Sequence, residues 1–387
     1  MNSLTPTLRT KLPAVGTTIF TRMSALAVEH NAVNLGQGFP DFACDPRLQA
    51  MVSDAMRAGH NQYPMMSGVP ALREAIAAKV EALYGHRYDA ATEVTVTTGA
   101  SQAVQTAILC CVHPGDEVIV IEPAYDCYLP NIALAGGVAV PVPMELGADG
   151  YSVPWQTLAA SVTPRTRLII INSPHNPTGS ILRQADLHAL AAIVDGTDIL
   201  VLSDEVYEHM VFDGARHESV CRHPVLAARS FVISSFGKTY HVTGWKVGYV
   251  AAPKTLMAEF RKVHQYNVFT VNTPMQHAIA NYMADPKPYL ELPAFYQRKR
   301  DLFREGLTNS RFTLLPADGT YFQCVRYDGI SALDEAAFSE WLATEVKVAA
   351  IPVSAFYSEP RESGIVRFCF AKKDETLQLA LERLAKL

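Results

Sequence analysis

Short apolar runs rich in β-branched residues alternate with helix-length stretches through the middle of the chain, and this alternation constrains the fold most strongly. Two of the helix-length stretches are SQAVQTAILCCV at 101–112 and RQADLHALAAIV at 183–194. Near-continuous apolar strands separated by helices are typical of a largely parallel sheet that helices cover on both faces. We therefore predict an α/β fold. The seven predicted strands span residues 93–98, 117–122, 138–142, 167–172, 199–204, 231–235 and 247–252.

The two ends of the chain have a different pattern. Residues 1–45 contain one helical stretch, IFTRMSALAVEH, followed by the glycine-containing segment NLGQGFPDF. From about residue 285 onward, charged helical patterns alternate with isolated strands such as GTYFQCVRY and SGIVRFCFA. A chain of 387 residues is long enough for about two domains. We predict a large α/β domain at 46–284 and a small α+β domain that combines residues 1–45 with 285–387, since each end is too short to form its own core.

Composition and charge argue against several classes of protein. The net charge is −5 with scattered basic residues, which gives no footprint for nucleic acid. No apolar run is long enough for a membrane span, and the first residues, MNSLTPTLRTKLP, lack the apolar core of a signal peptide. The seven cysteines form no C-x-x-C motif and the twelve histidines form no H-E-x-x-H motif, so neither a disulfide framework nor a metal site is expected. We expect a cytoplasmic protein without a metal.

Polar side chains follow five of the predicted strands, and we expect them to meet at one place. In open α/β sheets, ligands bind beyond the carboxyl ends of the strands. The five segments that follow the strands are GASQA after 93–98, PAYDCY after 117–122, SPHNPTG after 167–172, DEVYE at the end of 199–204 and FGKTYHVTGWK after 231–235. All five are predicted to open on the same edge of the sheet.

Each of these residues also has a simpler explanation when it is taken alone. The segment from Gly99 to Gln102 can bind an anion at a helix start, but it can also be an ordinary turn capped by Ser101. Asn176 can form the turn that its proline and glycine neighbours favour, and Asp204 can cap the next segment. Tyr125 and Tyr207 can be packing residues, and Lys238 can be a solvated lysine. Together, a phosphate cradle, a flat aromatic face, a hydrogen-bond donor, a carboxylate and an amine indicate a site for a phosphorylated aromatic heterocycle that carries an aldehyde.

Several motifs resemble those of a known family, the class I/II aminotransferases of the fold-type I pyridoxal-phosphate (PLP) enzymes. The motifs are NLGQGFPDF, NQYPMMSGVPALREAIA, PHNPTG, SDEVYE, SSFGKTYHVTGWKVGY and IVRFCF, and the resemblance covers essentially the whole chain. SDEVYE followed by S-x-x-K about 34 residues later is its most specific part. Within the family, SSFGKTYHVTGWKVGY and VRFCFAKK are most similar to bacterial methionine aminotransferases and next to kynurenine/glutamine aminotransferases.

The resemblance implies a catalytic role for three residues and a fold with the seven-stranded, mostly parallel sheet described above. Lys238 is expected to be the Schiff-base lysine and to shuttle the proton in two half-reactions. Asp204 is expected to pair with the pyridinium nitrogen of PLP, and Tyr207 to hydrogen-bond the phenolic oxygen of the ring together with Asn176. Tyr125 is expected to stack on the ring.

Further residues are implied to bind the cofactor phosphate and the substrate. Helix-start N–H groups at 100–102 are expected to hold the phosphate, with further contacts from Ser235, Lys246 and Tyr63 of a neighbouring subunit. Arg367 is expected to clamp the α-carboxylate with help from Asn176 and from the backbone of Gly38. An apolar pocket of aromatic residues favours methionine and aromatic amino acids over aspartate. The phosphate set is Ala100, Ser101, Gln102, Ser235, Lys246 and Tyr63 of a neighbouring subunit, and the pocket set is Phe20, Tyr63 and Phe269.

One position departs from the family pattern, and the reaction has alternatives. The family usually has arginine where this chain has Lys246, so the planar two-pronged grip on phosphate is not expected here. The resemblance implies a homodimer with active sites at the subunit interface. A kynurenine/glutamine-type enzyme with cysteine-conjugate β-lyase activity is the alternative. A PLP-binding regulator without turnover is a more distant one, because no basic DNA-binding segment precedes the motifs.

Overall fold

The computed structural model describes residues 8–13 and 15–387. Most of the opening segment MNSLTPTLRTKLP, in which no signal peptide was expected, lies outside these residues. The strands are β1 (Val33–Asn34), β2 (Val94–Thr97), β3 (Glu117–Glu122), β4 (Val138–Pro143), β5 (Glu145–Gly147), β6 (Gly150–Ser152), β7 (Thr166–Asn172), β8 (Leu200–Asp204), β9 (Ser230–Ser235), β10 (Gly248–Ala251), β11 (Thr313–Leu314), β12 (Phe322–Arg326), β13 (Val348–Ala349), β14 (Ile351–Pro352) and β15 (Ile365–Cys369).

Helices separate most of these strands. They are α1 (Ile19–Glu29), α2 (Pro46–Arg57), α3 (Pro70–Tyr84), α4 (Gly99–Cys111), α5 (Tyr128–Ala135), α6 (Trp155–Ala160), α7 (Gln184–Val194), α8 (Pro224–Ala227), α9 (Phe236–Thr239), α10 (Lys254–Asn267), α11 (Thr273–Tyr282), α12 (Lys287–Leu290), α13 (Leu292–Gly306), α14 (Glu335–Trp341) and α15 (Asp374–Leu384). Short helical turns lie at Val220–Arg222, Thr243–Trp245, Leu342–Val346 and Val353–Phe356.

A seven-stranded sheet with the order β2-β10-β9-β8-β7-β3-β4 forms the centre of the molecule. The pairs from β9 through β4 are parallel, whereas β10 runs antiparallel to both of its neighbours. Each of the seven predicted strands is present and lies within two residues of its predicted bounds. The predicted α/β class with a seven-stranded, mostly parallel sheet is therefore confirmed.

Helices cover both faces of this sheet, as its apolar strands require. Within β7, Ile169 and Ile171 pack into one core, and the alternate residues Leu168 and Ile170 pack into the core on the opposite face. Helices α3, α7 and α11 contribute to the first core, and α4, α5 and α10 to the second. Each fully buried aliphatic side chain contributes about 1.5–3 kcal/mol, so both faces hold the sheet between helices.

The two ends of the chain meet beside the large sheet. A four-stranded sheet has the order β11-β12-β15-β14, and β1 pairs in parallel with β13 through Val33 and Val348. The Cys369 N–H also donates to the Leu35 carbonyl over 2.7 Å. This pairing of an early strand with a late one supports the predicted small domain, whose bounds at 1–45 and 285–387, like those of the large domain at 46–284, stay a prediction.

Candidate active site

A cavity of about 320 Å³ lies beyond the carboxyl ends of β7, β8 and β9, where sequence reasoning placed the ligand. The start of α4, the loop after β1 and strand β15 close its other sides. Of the predicted site residues, all except Gln102, Tyr63 and Phe269 line it. The predicted residues in the lining are Phe20, Gly38, Ala100, Ser101, Tyr125, Asn176, Asp204, Tyr207, Ser235, Lys238, Lys246 and Arg367.

One end of the cavity is built for an anion. Helix α4 begins at Gly99, whose φ of +71° lets the chain turn directly from β2 into the helix. The first N–H groups of a helix have no partner within it and carry its positive dipole end. A methyl group built on Gly99 would lie 3.4 Å from Lys246 Nζ, so the lysine amine sits at the same helix start. Two independent positive groups therefore converge where Ala100, Ser101 and Ser235 line the cavity.

Gln102 is placed differently from its neighbours in the helix start. Its side chain accepts from the Thr98 N–H over 3.0 Å and donates to Thr106 Oγ1 over 2.6 Å. It also lies 3.2 Å from His264 Nδ1. Its side chain thus braces the helix start and does not line the cavity, so the predicted phosphate contact of Gln102 stays a prediction that involves its backbone alone.

The carboxylate at the end of β8 is buried and held by a tyrosine that sequence reasoning missed. Asp204 Oδ2 accepts from Tyr128 Oη over 2.7 Å, and Oδ1 accepts from the Val206 N–H over 3.3 Å. Burial raises the pKa of Asp204 to about 6, against the opposing effect of the Tyr128 hydrogen bond. Tyr128 follows Tyr125 by three residues in PAYDCY, and such spacing places two side chains on one side of a helical turn.

Lys238 lies on the short helix α9 directly after β9, and its amine faces the cavity. Lys238 Nζ donates to the Gly38 carbonyl over 3.1 Å and lies 2.9 Å from the hydroxyl of Tyr321. It also lies 5.5 Å from the centre of the Tyr207 ring. Burial lowers the pKa of Lys238 to about 8, so roughly a tenth of the amine is neutral at pH 7, and the fraction rises with pH.

Gly38 must be glycine for this arrangement. A methyl group built on it would lie 2.8 Å from the ring of Phe322, closer than atoms approach without displacement. The missing side chain lets the loop after β1 bring its backbone against the cavity. The sequence signal for this contact was the segment NLGQGFPDF.

Arg367 is a buried cation without a carboxylate partner in the described part of the chain. It lies in the middle of β15, is 1% exposed, and donates to Asn176 Oδ1 over 2.6 Å and to the Gly36 carbonyl over 2.9 Å. Its Nε atom is buried and has no hydrogen-bond partner among the described residues. The guanidinium lies 3.9 Å from the centre of the Phe322 ring and 5.5 Å from that of Phe20. The hydrogen-bond partners of this buried guanidinium and the rings around it are neutral, which suits it to an anionic ligand.

A chain of amide contacts connects Arg367 to the backbone of Asp204. The Asn176 N–H donates to Asn172 Oδ1 over 2.8 Å, and Asn172 Nδ2 donates to the Asp204 carbonyl over 2.8 Å. Asn172 and Asp204 are also direct partners in the register of β7 and β8. Sequence reasoning placed Asn172 at the end of a predicted strand but missed its role. That role depends on hydrogen bonds to Asn176 and to the neighbouring strand, which the sequence does not show.

Tyr63 and Phe269 lie outside this cavity. Their rings contact each other edge to face with 5.3 Å between centroids. Tyr63 is 81% exposed and Phe269 is 42% exposed, so these two aromatic side chains lie on the surface of the chain. Their predicted roles stay predictions that require a second copy of the chain.

The cavity contains a matching group for each part of PLP. The helix start and Lys246 suit the phosphate, Asp204 suits a protonated ring nitrogen, and Lys238 suits the aldehyde carbon. The unpartnered Nε of Arg367 leaves a donor for a substrate carboxylate. Within residues 8–13 and 15–387, no cluster of three or more His, Cys, Asp or Glu side chains could hold a metal ion.

The signature of the family "Aminotransferase class I and II" matches residues 30–384. Methionine aminotransferase of Escherichia coli is 51% identical over 100% of this chain and 99% of its own length. A probable N-succinyldiaminopimelate aminotransferase of Mycobacterium tuberculosis is 41% identical, covering 97% and 98%. Kynurenine–oxoglutarate transaminase of Dictyostelium discoideum is 36% identical, covering 96% and 94%.

Solved structures agree with this relationship. The crystal structure of YbdL from Escherichia coli, which identified a methionine aminotransferase function, superimposes with a TM-score of 0.97 at 50% identity, covering 99% of this chain and 100% of that one. The chain therefore belongs to the class I and II aminotransferases. It is a PLP-dependent transaminase of fold type I, as the resemblance predicted.

Proposed function

We propose that this enzyme transfers the α-amino group of methionine, and of other apolar or aromatic amino acids, to a 2-oxo acid in two half-reactions. The observation that carries the proposal is one cavity that is lined by Lys238, Asp204, the buried guanidinium of Arg367 and several aromatic rings. The 51% identity to a methionine aminotransferase supports methionine as a substrate.

The cofactor is proposed to lie between the helix start and Asp204. When it is bound, PLP delocalises the electron pair that the substrate's α-carbon retains after it loses a proton. Lys246 Nζ and the N–H groups of Ala100 and Ser101 would hold the phosphate. Asp204 would hold a proton on the ring nitrogen, Asn176 and Tyr207 would bind the phenolic oxygen, and Tyr125 would pack on the ring face.

Lys238 is proposed to move the proton. Its pKa of about 8 leaves part of the amine neutral near neutral pH, and only a neutral amine can accept a proton from carbon. Its place on α9, directly after a buried strand, fixes the amine inside the cavity. The lysine therefore serves as the base for the α-carbon and as the acid that returns the proton.

Arg367 is proposed to orient the substrate. A guanidinium grips a carboxylate through two parallel hydrogen bonds, and every α-amino acid carries such a carboxylate. The surrounding rings of Phe20, Phe322 and Phe356 exclude water from the pair, which strengthens it. The Gly38 backbone borders the same space.

The side-chain end of the pocket favours uncharged substrates. Phe20, Phe39 and Phe322 give it an apolar wall, and the only carboxylates among the described lining residues are Asp204 and Asp126. The basic side chains among the described lining residues are Lys238, Lys246 and Arg367, and each already has a role in binding cofactor or the α-carboxylate. No further cation in the described lining is left for an acidic substrate side chain, which supports methionine over aspartate. Apolar pockets discriminate by only about 1–3 kcal/mol per methylene, so broad specificity follows.

The assembly is proposed to be a homodimer with active sites at the interface. Exposed aromatic and methionine side chains lie near one another in sequence at Tyr63 with Met65 and at Tyr266 with Phe269, and the rings of Tyr63 and Phe269 are in contact. Such a patch is typical of an interface between subunits. Tyr63 would then reach the phosphate, and Phe269 the substrate pocket, of the partner.

A cytoplasmic location is also proposed. All seven cysteines are free, which is typical of proteins in a reducing compartment. In the described part of the chain, no helix has both the length and the apolar character needed to cross a membrane.

A substrate screen tests the proposal. Purified holoenzyme is incubated with each of twenty amino acids and several 2-oxo acids, and products are read by mass spectrometry. We expect methionine and aromatic amino acids to give 2-oxo products only when an acceptor is present. Release of pyruvate and ammonia from cysteine conjugates without an acceptor would favour the β-lyase alternative. Full turnover by Lys238→Ala would contradict the proposed function.

A further inference from the structure

Tyr321 is a buried tyrosine beside Lys238 that the proposed function does not use. Its side chain is 0% exposed, and its hydroxyl lies 2.9 Å from Lys238 Nζ and 2.5 Å from the Gly38 carbonyl oxygen. Lys238 Nζ itself donates to the same carbonyl over 3.1 Å. The amine, the hydroxyl and the carbonyl therefore form a closed triangle of hydrogen bonds.

The direction of these hydrogen bonds follows from the chemistry of the groups. A carbonyl oxygen only accepts, so the 2.5 Å contact requires the single proton of the Tyr321 hydroxyl to point at Gly38. Burial raises the pKa of Tyr321 far above its usual range, so the hydroxyl keeps this proton. Towards Lys238 the hydroxyl presents a lone pair. The amine thus meets two acceptors, an environment that favours an ammonium with its three N–H donors.

Among the described residues, the hydrogen-bond partners of Lys238 Nζ are these two groups. Arg367 and Lys246 act on the lysine by charge and lower its pKa, whereas Asp204 raises it, and none of these three is a hydrogen-bond partner of Nζ. The charged and titratable groups that face Lys238 from the surrounding elements are Asp204, Tyr207, Lys246, Tyr321, Arg367 and Cys369.

From this geometry we infer that Tyr321 is a positioning residue for Lys238. Together with the Gly38 carbonyl, it holds the ε-ammonium while Lys238 carries the substrate's α-proton and is not attached to the cofactor. The inference rests on the proposed function, because it concerns the interval between removal and return of that proton. Both partners lie outside the predicted large domain, Gly38 after β1 and Tyr321 just before β12, so the two ends of the chain jointly fix the amine's position.

The ring of Tyr321 also packs among other aromatic rings, and a test has to separate packing from the hydroxyl. Its ring lies 5.1 Å from that of Tyr207 and 5.7 Å from that of Tyr296. Tyr296 provides a matched control, because it is also 0% exposed and its buried hydroxyl has no partner among the described residues. Tyr321→Phe and Tyr296→Phe each remove one buried hydroxyl and keep the ring.

The test uses holoenzyme labelled with carbon-13 at the lysine ε-carbons and incubated with excess methionine without an oxo acid, so that Lys238 is free of the cofactor. NMR titration gives the pKa of Lys238, and comparison with Lys238→Ala assigns its resonance. Tyr321→Phe removes one of the two hydrogen-bond acceptors of the Lys238 ammonium, so we expect the pKa of Lys238 to fall by about one to two units. We also expect kcat for methionine to fall while KM stays near the wild-type value, and Tyr296→Phe to change neither.

Two results would overturn the inference. A Lys238 pKa and a kcat in Tyr321→Phe equal to those of the wild type would mean that the hydroxyl does not hold the amine. Equal losses in Tyr321→Phe and Tyr296→Phe would mean that packing accounts for the effect. Neither result would affect the proposed function, which fails separately if Lys238→Ala retains full turnover.

Discussion

Replacing Tyr128 by phenylalanine removes one hydrogen bond from Asp204 and keeps the ring in place. The hydroxyl donates to Asp204 Oδ2 over 2.7 Å, and Tyr128 is buried, so no solvent can replace it without rearrangement. A hydrogen bond to a charged group contributes about 1.5–3 kcal/mol, and one pKa unit corresponds to about 1.4 kcal/mol. The loss should therefore raise the pKa of Asp204 by about one to two units above its value of about 6.

The raised pKa of Asp204 in Tyr128→Phe should shift the pH dependence of catalysis to higher pH. Asp204 stabilises a protonated ring nitrogen only when it is ionised, and ionisation is lost as pH falls through its pKa. Bound cofactor lowers that pKa in wild type and variant alike, so the difference between them remains. The acid limb of the kcat/KM profile for methionine should move up by about one to two pH units in Tyr128→Phe, with the two enzymes converging at alkaline pH.

Stopped-flow absorbance of the methionine half-reaction between pH 5 and about 9.5 measures this profile, the range being chosen to span the acid limb. Tyr296→Phe is the matched control, because its buried hydroxyl contacts no described partner. An unchanged acid limb, or a loss of rate that is the same at every pH, would refute the role of Tyr128.

Three further predictions follow from the site. Asp204→Asn should stabilise the cofactor-free protein at pH 7 by about 1–3 kcal/mol in urea unfolding. Because the pKa of Asp204 is raised, the folded state binds the carboxyl proton more tightly than the unfolded state does, so the wild type loses stability as pH rises from about 4 to about 6. An equally stable or less stable variant would count against a buried charge. Lys246→Ala should weaken PLP binding about 10- to 100-fold, because it removes one charge-assisted contact to the phosphate. The binding of pyridoxal, which lacks the phosphate, should stay unchanged in equilibrium titrations. Equal losses of affinity for both would mean that Lys246 does not contact the phosphate. Arg367→Lys should raise KM for methionine and phenylalanine by a similar factor, because a point charge replaces the two-pronged grip on their common carboxylate; a selective effect on one substrate would contradict the clamp.

The sheet and the edge that carries the site were predictable because each depends on a local pattern. Apolar β-branched runs such as RLIIIN form strands buried on both faces, and the chain direction then determines where the following residues lie. Lys238, Asp204 and Asn176 could therefore be placed in one cavity from their positions after strands alone.

The residues that were missed depend on contacts between distant parts of the chain. Tyr321 reaches Lys238 across 83 residues, and Tyr128 reaches Asp204 across 76 residues. The local sequence does not distinguish Tyr321 from an ordinary core aromatic, and the spacing of Tyr128 from Tyr125 does not identify Asp204 as its partner. Gln102 is a further example: the helix start predicted a phosphate contact by its backbone N–H, and the structure adds that its side chain binds Thr98, Thr106 and His264.

The most direct measurement identifies the residue to which the cofactor is attached. Holoenzyme is reduced with borohydride, digested and sequenced by mass spectrometry. We expect the pyridoxyl group on the peptide that contains Lys238, at the amine that faces the cavity beside Asp204. Modification of a different lysine, or of none, would contradict the placement of the reaction at this amine.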